Sequence, residues 1–326
     1  VESLAVFQKT RTFSVWAVSA VVAVSLLLSL FFGSGSASWQ VWLAVAALAV
    51  GIPHGALDHL VTVPSMEVGK MTLFVVSYLA VVALVVAIIL VWPVPGFVFV
   101  VVMSAVHFGM GDASFSRQCT PDQTNRSPWW VYALPAGAVP VVIPLTNQGS
   151  SDALMLVNPV LVGWHFGADR ALLWLSVAAA VIAVVWLMVA GQRADARDIV
   201  VLALLALLTP PLVAFAAYFG LWHALRHTAR LSGEIPRATP AARDGRWVQA
   251  LWQVSVPGLP ALVGTMVVAG VMTFIGGWSM REYLWIALVV VWALTVPHMA
   301  LTWRLDRAVL LGKETSAATQ ERSAPR

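Results

Sequence analysis

Long apolar blocks, each closed by a short polar interruption, set the rhythm of the chain. They cover roughly 13–33, 39–60, 71–93, 96–115, 128–146, 171–190, 198–209, 211–229, 256–277 and 282–304. About 20 consecutive apolar residues let a helix cross the hydrocarbon of a bilayer. The pattern therefore predicts an all-α, polytopic integral membrane bundle of about ten spans (8–10). The interruptions (GSGSAS, PVP, NQGSSD) are rich in turn-forming residues and too short to form a second domain. The first block follows Lys9 and Arg11 as a signal sequence would, but its length and the blocks behind it predict a retained helix. Residues 151–168 (SDALMLVNPVLVGWHFGA) are moderately apolar and are expected along the outer interface. Residues 198–229 read either as one kinked helix or as a hairpin broken at Pro210-Pro211. The chain divides into one transmembrane domain, 1–311, and a polar tail, 312–326, expected to be disordered.

Charge decides between the two readings of 198–229. Cytoplasmic loops of membrane proteins are enriched in Lys and Arg. With ten spans and both termini in the cytoplasm, all but two of the 19 Lys and Arg fall on the inner side, Arg170 and Arg281 being the exceptions. A single span over 198–229 would scatter them, so the hairpin is expected. The span 198–209 is short and could stop partway or pair with irregular backbone buried in protein.

Composition agrees. Hydrophobic residues make up 60% of the chain and charged residues 10%, against about 25% charged in soluble domains. The net charge of +4 sits in the flanks of the blocks and does not call for nucleic acid. The one cysteine, Cys119, rules out an intrachain disulfide and a cysteine-based metal cluster, and is expected in a polar loop.

Against this background the histidines stand out. Five of the seven lie inside apolar blocks: His54 in GIPHGALD, His107 in SAVHFGMGD, His223 and His227 in YFGLWHALRH, and His298 in TVPHMALTW. The four blocks all run from outside to inside. At 1.5 Å per residue, His54, His107, His223 and His298 lie roughly 6–12 Å from their inner ends. They can therefore meet in one layer. His223 and His227, four residues apart, share one helix face, the usual way for a helix to offer two ligands to one metal. Ionisable groups inside spans face the bundle interior and mark function. Imidazoles without cysteine suit Fe, Zn, Cu or Ni rather than Mg or Ca. His298 is open between ligand, ligand-orienting residue and pocket wall. Asp58, four residues after His54, and Asp112, five after His107, are placed to accept an imidazole N–H and fix its tautomer; the plainer alternative is that both reach the headgroups. Trp222 and Phe219 flank the histidine pair and could line an apolar pocket or simply pack. His59 reads as an interfacial residue and His165 as structural.

The blocks PHGALDHL (53–60), SAVHFGMGD (104–112), TPPLVAFAAYFGLWHALRH (209–227) and TVPHMALTWR (295–304) together resemble the Brp/Blh family of bacterial and archaeal β-carotene 15,15′-dioxygenases. The resemblance implies a multi-pass enzyme of the cell membrane that splits β-carotene at its central double bond with O2 to give two molecules of retinal, which a retinal-binding protein could take up. It also implies iron held by four histidines, which by motif are His54, His107, His223 and His227. Ala224 stands where the family pattern leads one to expect a small polar residue, without touching a ligand. β-Carotene is about 30 Å long, close to the hydrocarbon thickness. A metal in the inner half therefore predicts a strongly tilted or bilayer-parallel substrate, reached by a lateral opening between helices.

Other readings of the residues compete. A di-iron desaturase or hydroxylase would need adjacent histidine pairs, which are absent from the sequence. A proton or metal-ion transporter would spread titratable residues along a path, whereas here they gather at one depth. A carotenoid-binding protein without activity would carry the same motifs.

Overall fold

The computed structural model describes residues 3–32, 40, 43–44, 46–47, 55–62, 67–121, 123, 126–275 and 279–311. Every regular element among them is helical. In chain order these are α1 (Leu4–Phe32), α2 (Asp58–Thr62), α3 (Val68–Val91), α4 (Pro93–Cys119), α5 (Trp129–Leu145), α6 (Gln148–Val157), a 3₁₀ turn (Pro159–Leu161), α7 (Asp169–Val189), α8 (Arg193–Leu208) and α9 (Pro211–Ala216). A π-helical segment (Ala217–Ala224) then leads into α10 (Leu225–Glu234), followed by α11 (Thr239–Arg243), α12 (Trp247–Ser255), a 3₁₀ turn (Val256–Gly258), α13 (Leu259–Ile275) and α14 (Met280–Leu310). His54, most of the expected 39–60 span and the 312–326 tail lie outside the described residues.

Five described helices are long and apolar enough to cross a membrane: Leu4–Phe31, Val68–Val91, Pro93–Cys119, Asp169–Val189 and Arg281–Leu310. A sixth follows if α5 and α6, bent by 71°, count as one broken span. The expected outer-interface stretch at 151–168 is thus α6 and the turn after it. Cys119 is not in a loop. It is the last residue of α4, buried with Val6, Phe7, Phe115 and Ala229, because the helix runs four residues past its apolar block.

Helix α4 sits in the middle. Residues 107–116 are buried on every face, which no lipid- or water-facing helix can be. Small residues let its neighbours close in. A Cβ on Gly109 would fall inside the van der Waals shell of the Ala133 carbonyl, and one on Gly137 inside that of Ala105, so α4 and α5 touch backbone to backbone. Helix α5 tolerates Pro135, Pro140 and Pro144 within it; neighbouring helices can satisfy the carbonyls that proline frees.

Residues 198–229 are interrupted where the two prolines fall. The chain breaks between Leu208 and Pro211, and Arg226 beyond the break pairs with Asp198 near the start of α8 (3.1 Å), so the two arms return alongside each other. Arg11 of α1 joins the same carboxylate (3.1 Å) and also pairs with Asp195. Ser116 donates to Asp195, the Tyr132 hydroxyl to Asp198, and Arg226 to Ser14. This buried polar knot ties α1, α4, α5, α8 and α10 together.

Candidate metal centre

Four histidines from three parts of the chain meet in the core. His107 comes from the all-buried stretch of α4. His223 is the last residue but one of the π-helical segment, and His227 follows one turn later in α10. His298 follows Pro297 within α14. The ring centroids form a closed quadrilateral: His107–His223 4.9 Å, His223–His227 6.1 Å, His227–His298 5.6 Å and His298–His107 5.4 Å. All four are buried.

The π segment sets the pair on α10 in place. Widened turns of this kind occur as single-turn insertions in α-helices, often at functional sites. Here Phe215, Phe219, His223 and His227, four residues apart in turn, stack in one column with interplanar angles of 8°, 23° and 16°. Phe108 flanks His223 with its centroid 4.4 Å away.

Hydrogen bonds fix which nitrogens face inward. The Thr302 hydroxyl donates to the His298 carbonyl (3.1 Å). Its lone pairs are then left to accept an Nδ1–H from His107, also at 3.1 Å. We assign His107 as the Nδ1–H tautomer, which puts a lone pair on Nε2. That Nε2 lies 3.3 Å from Nε2 of His223. Asp58 does the same for His298: its carboxylate oxygens lie 2.9 and 3.1 Å from Nδ1 and can only accept, so His298 also presents a lone pair at Nε2.

The donor set fits a nitrogen-preferring transition metal. Two nitrogens each about 2.1 Å from one ion at a tetrahedral angle stand about 3.4 Å apart. The His107–His223 separation matches that spacing. Among the described residues no three histidine, cysteine or acidic side chains form a finished cage; His54 lies outside them.

The remaining expected residues fall as follows. Asp58 holds His298, 240 positions away; its expected partner His54 lies outside the described residues. Asp112, expected beside His107, accepts instead from Trp222 Nε1 (2.9 Å) and the Tyr218 hydroxyl (3.3 Å) and faces Arg226. Five residues along a helix turn it about 140° away from His107. Trp222 is fully buried, with the Arg226 guanidinium 3.5 Å from its ring centre. Phe219 is half-buried and stacks on His223. His59 bonds locally, its Nδ1 3.0 Å from the Ala56 carbonyl, and His165 accepts from the Gly167 N–H. Thr302 escapes the sequence reading, although its place four residues after His298 puts it on the same helix face.

The chain also has relatives among known proteins. The family described as Beta-carotene 15,15'-dioxygenase matches the chain over residues 45–306, a stretch that includes His54, His107, His223, His227 and His298. A protein of Halobacterium salinarum named Probable beta-carotene 15,15'-dioxygenase Blh is 28% identical over 295 residues, covering 81% of this chain and 84% of that one. Probable beta-carotene 15,15'-dioxygenase Brp from the same organism is 25% identical over 302 residues, 80% of this chain and 81% of its own length. A Beta-carotene 15,15'-dioxygenase from uncultured marine bacterium 66A03 is 27% identical over 195 residues, 57% of this chain and 67% of that protein. No solved structure matches the chain.

Proposed function

Because the chain belongs to the β-carotene 15,15′-dioxygenase family and shares its activity, we propose that it is an iron-dependent enzyme of the cell membrane that cleaves β-carotene at the central double bond with O2 to give two molecules of all-trans-retinal. The observation that carries the metal part is the pair of inward nitrogens, His107 Nε2 and His223 Nε2, at 3.3 Å with the His107 tautomer set by Thr302.

By motif, His54, His107, His223 and His227 would hold the iron, with His298 as a fifth imidazole facing the same space. Bound Fe(II) would supply the redox chemistry that activates O2. The balance needs no other reagent: one C=C and one O–O bond break, two C=O bonds form, and no outside electron donor is consumed. The protein's own part is positional. Thr302 and Asp58 aim two of the imidazoles. Phe108 and Phe219 give His223 an apolar surround, and burial excludes the water that would divert a reactive oxygen species. The alkene needs no ligand of its own; it has only to be held beside the oxygen. A closed ring of histidines favours this reading over a proton path, which calls for titratable groups in file. Ten spans with both termini in the cytoplasm remain our topology, supported by the charge distribution and by the break at Pro210-Pro211.

The test is expression in a host that accumulates β-carotene, with the intact chain or His223→Ala. Retinal is quantified by chromatography, and iron is measured in the purified protein. Loss of colour and appearance of retinal are expected for the intact chain alone, with about one iron per chain. Unchanged carotene, with the protein present in the membrane, would overturn the proposal.

A further inference from the structure

A cavity of about 480 Å³ lies between α3 and α14. Leu73, Tyr78 and Val81 form one wall, and Pro297, Ala300 and Leu301 form the other. Both helices are candidate membrane spans. Leu73 and Val81 are exposed on the outer surface, so the cavity opens sideways, where lipid would be. Pro297 and Leu301 bracket His298 on α14, so the cavity lies level with the histidine ring. Its wall is also chemically joined to the ring. The Tyr78 hydroxyl donates to the carbonyl of Leu294 (3.0 Å), four residues before His298 on α14, and Asp58 holds His298.

The size fits part of the substrate. The α3 wall runs about 16 Å along the helix from Lys70 to Val81 at 1.5 Å per residue, so this half of the substrate would lie along a span and not across the bilayer as the sequence alone suggests. Half of a hydrocarbon about 30 Å long, the bilayer thickness, is about 15 Å. Pockets that bury most of a small ligand hold about 300–1,000 Å³.

The geometry points to this groove as the lateral gate and seat for one ring-ended half of the carotenoid, with the central double bond carried to the His298 corner of the ring. This rests on the function proposed above for its choice of occupant. A lipid acyl chain is the competing occupant. It would not need a cavity level with, and joined to, the metal-facing histidines.

The experiment uses the full chain in nanodiscs. Ala300→Trp and Leu73→Trp fill the groove; Leu175→Trp, on the exposed face of α7, is the control. Bound β-carotene is read by absorbance after gel filtration of metal-free protein. Retinal formation is read separately, and iron content is measured in each variant. The groove variants are expected to lose at least tenfold in bound carotenoid and to raise KM at least fivefold, with iron unchanged; the control should match the parent. If Ala300→Trp fails to fold, Ala300→Leu is expected to give about a threefold effect. Groove variants that bind and cleave like the parent overturn the inference, as does a groove that retains only phospholipid. Parent protein that binds carotenoid in the groove but makes no retinal would instead sink the cleavage reading and leave the groove standing.

Discussion

Thr302 and Asp58 are not part of the proposed ligand set, yet they decide what two of the imidazoles can do. Each fixes a proton on Nδ1 and so frees Nε2 to bind. Removing such a partner typically costs 10–100-fold in metal affinity. Asp58→Ala and Thr302→Val are each expected to lower iron affinity within that range, measured by competition with a chelator, while the protein level in the membrane stays near normal. Unchanged iron affinity in both would show that the tautomers are set some other way. These partners also mark where sequence reading stops. Spacing along one helix suggested Asp58 for His54 and Asp112 for His107. The partnerships found span 240 positions for Asp58–His298 and 195 for Thr302–His107. A periodic pattern reports which face a residue occupies, not which distant helix that face meets.

At the scale of elements, much more was legible. The helices α3, α4, α5, α7, α8 and α14 each cover an apolar block, because a helix that packs in hydrocarbon must keep an apolar surface over its whole length. Pro210-Pro211 marked the break between α8 and α9 correctly. The π segment left no such trace, since one widened turn alters no residue type. Close helix contact is where elements are most vulnerable. Gly109→Ala pushes a methyl group into the Ala133 carbonyl and shifts α4 only two residues from His107. A destabilisation of about 1–3 kcal/mol is expected, together with weaker iron binding. Gly264→Ala in α13, where a Cβ meets nothing within 4 Å, should be neutral or stabilising by up to about 1 kcal/mol. Thermal unfolding of the two variants in detergent separates them; equal behaviour would deny the backbone contact.

Across the whole molecule the polar knot is the joint. Asp198 accepts both Arg11 and Arg226. Asp198→Asn leaves two buried guanidinium groups short of a counter-charge, at a cost of about 3–5 kcal/mol. Lower protein in the membrane and a lower unfolding temperature are expected; parental stability would make the knot dispensable. The knot also explains a blind spot in reading charge along the chain. Arg11, Arg226 and Arg230 count towards the inner-side excess, yet all three are buried in ion pairs, Arg230 with Asp306 at 2.6 Å. Arg11 and its partner Asp195 are 184 residues apart. At about 5–20 residues per second, a ribosome needs roughly 10–40 s to make the carboxylate after the guanidinium. Through that interval Arg11 has neither carboxylate partner, and its long side chain can reach water or lipid headgroups instead. The carboxylates that hold α1 are thus made long after α1 itself.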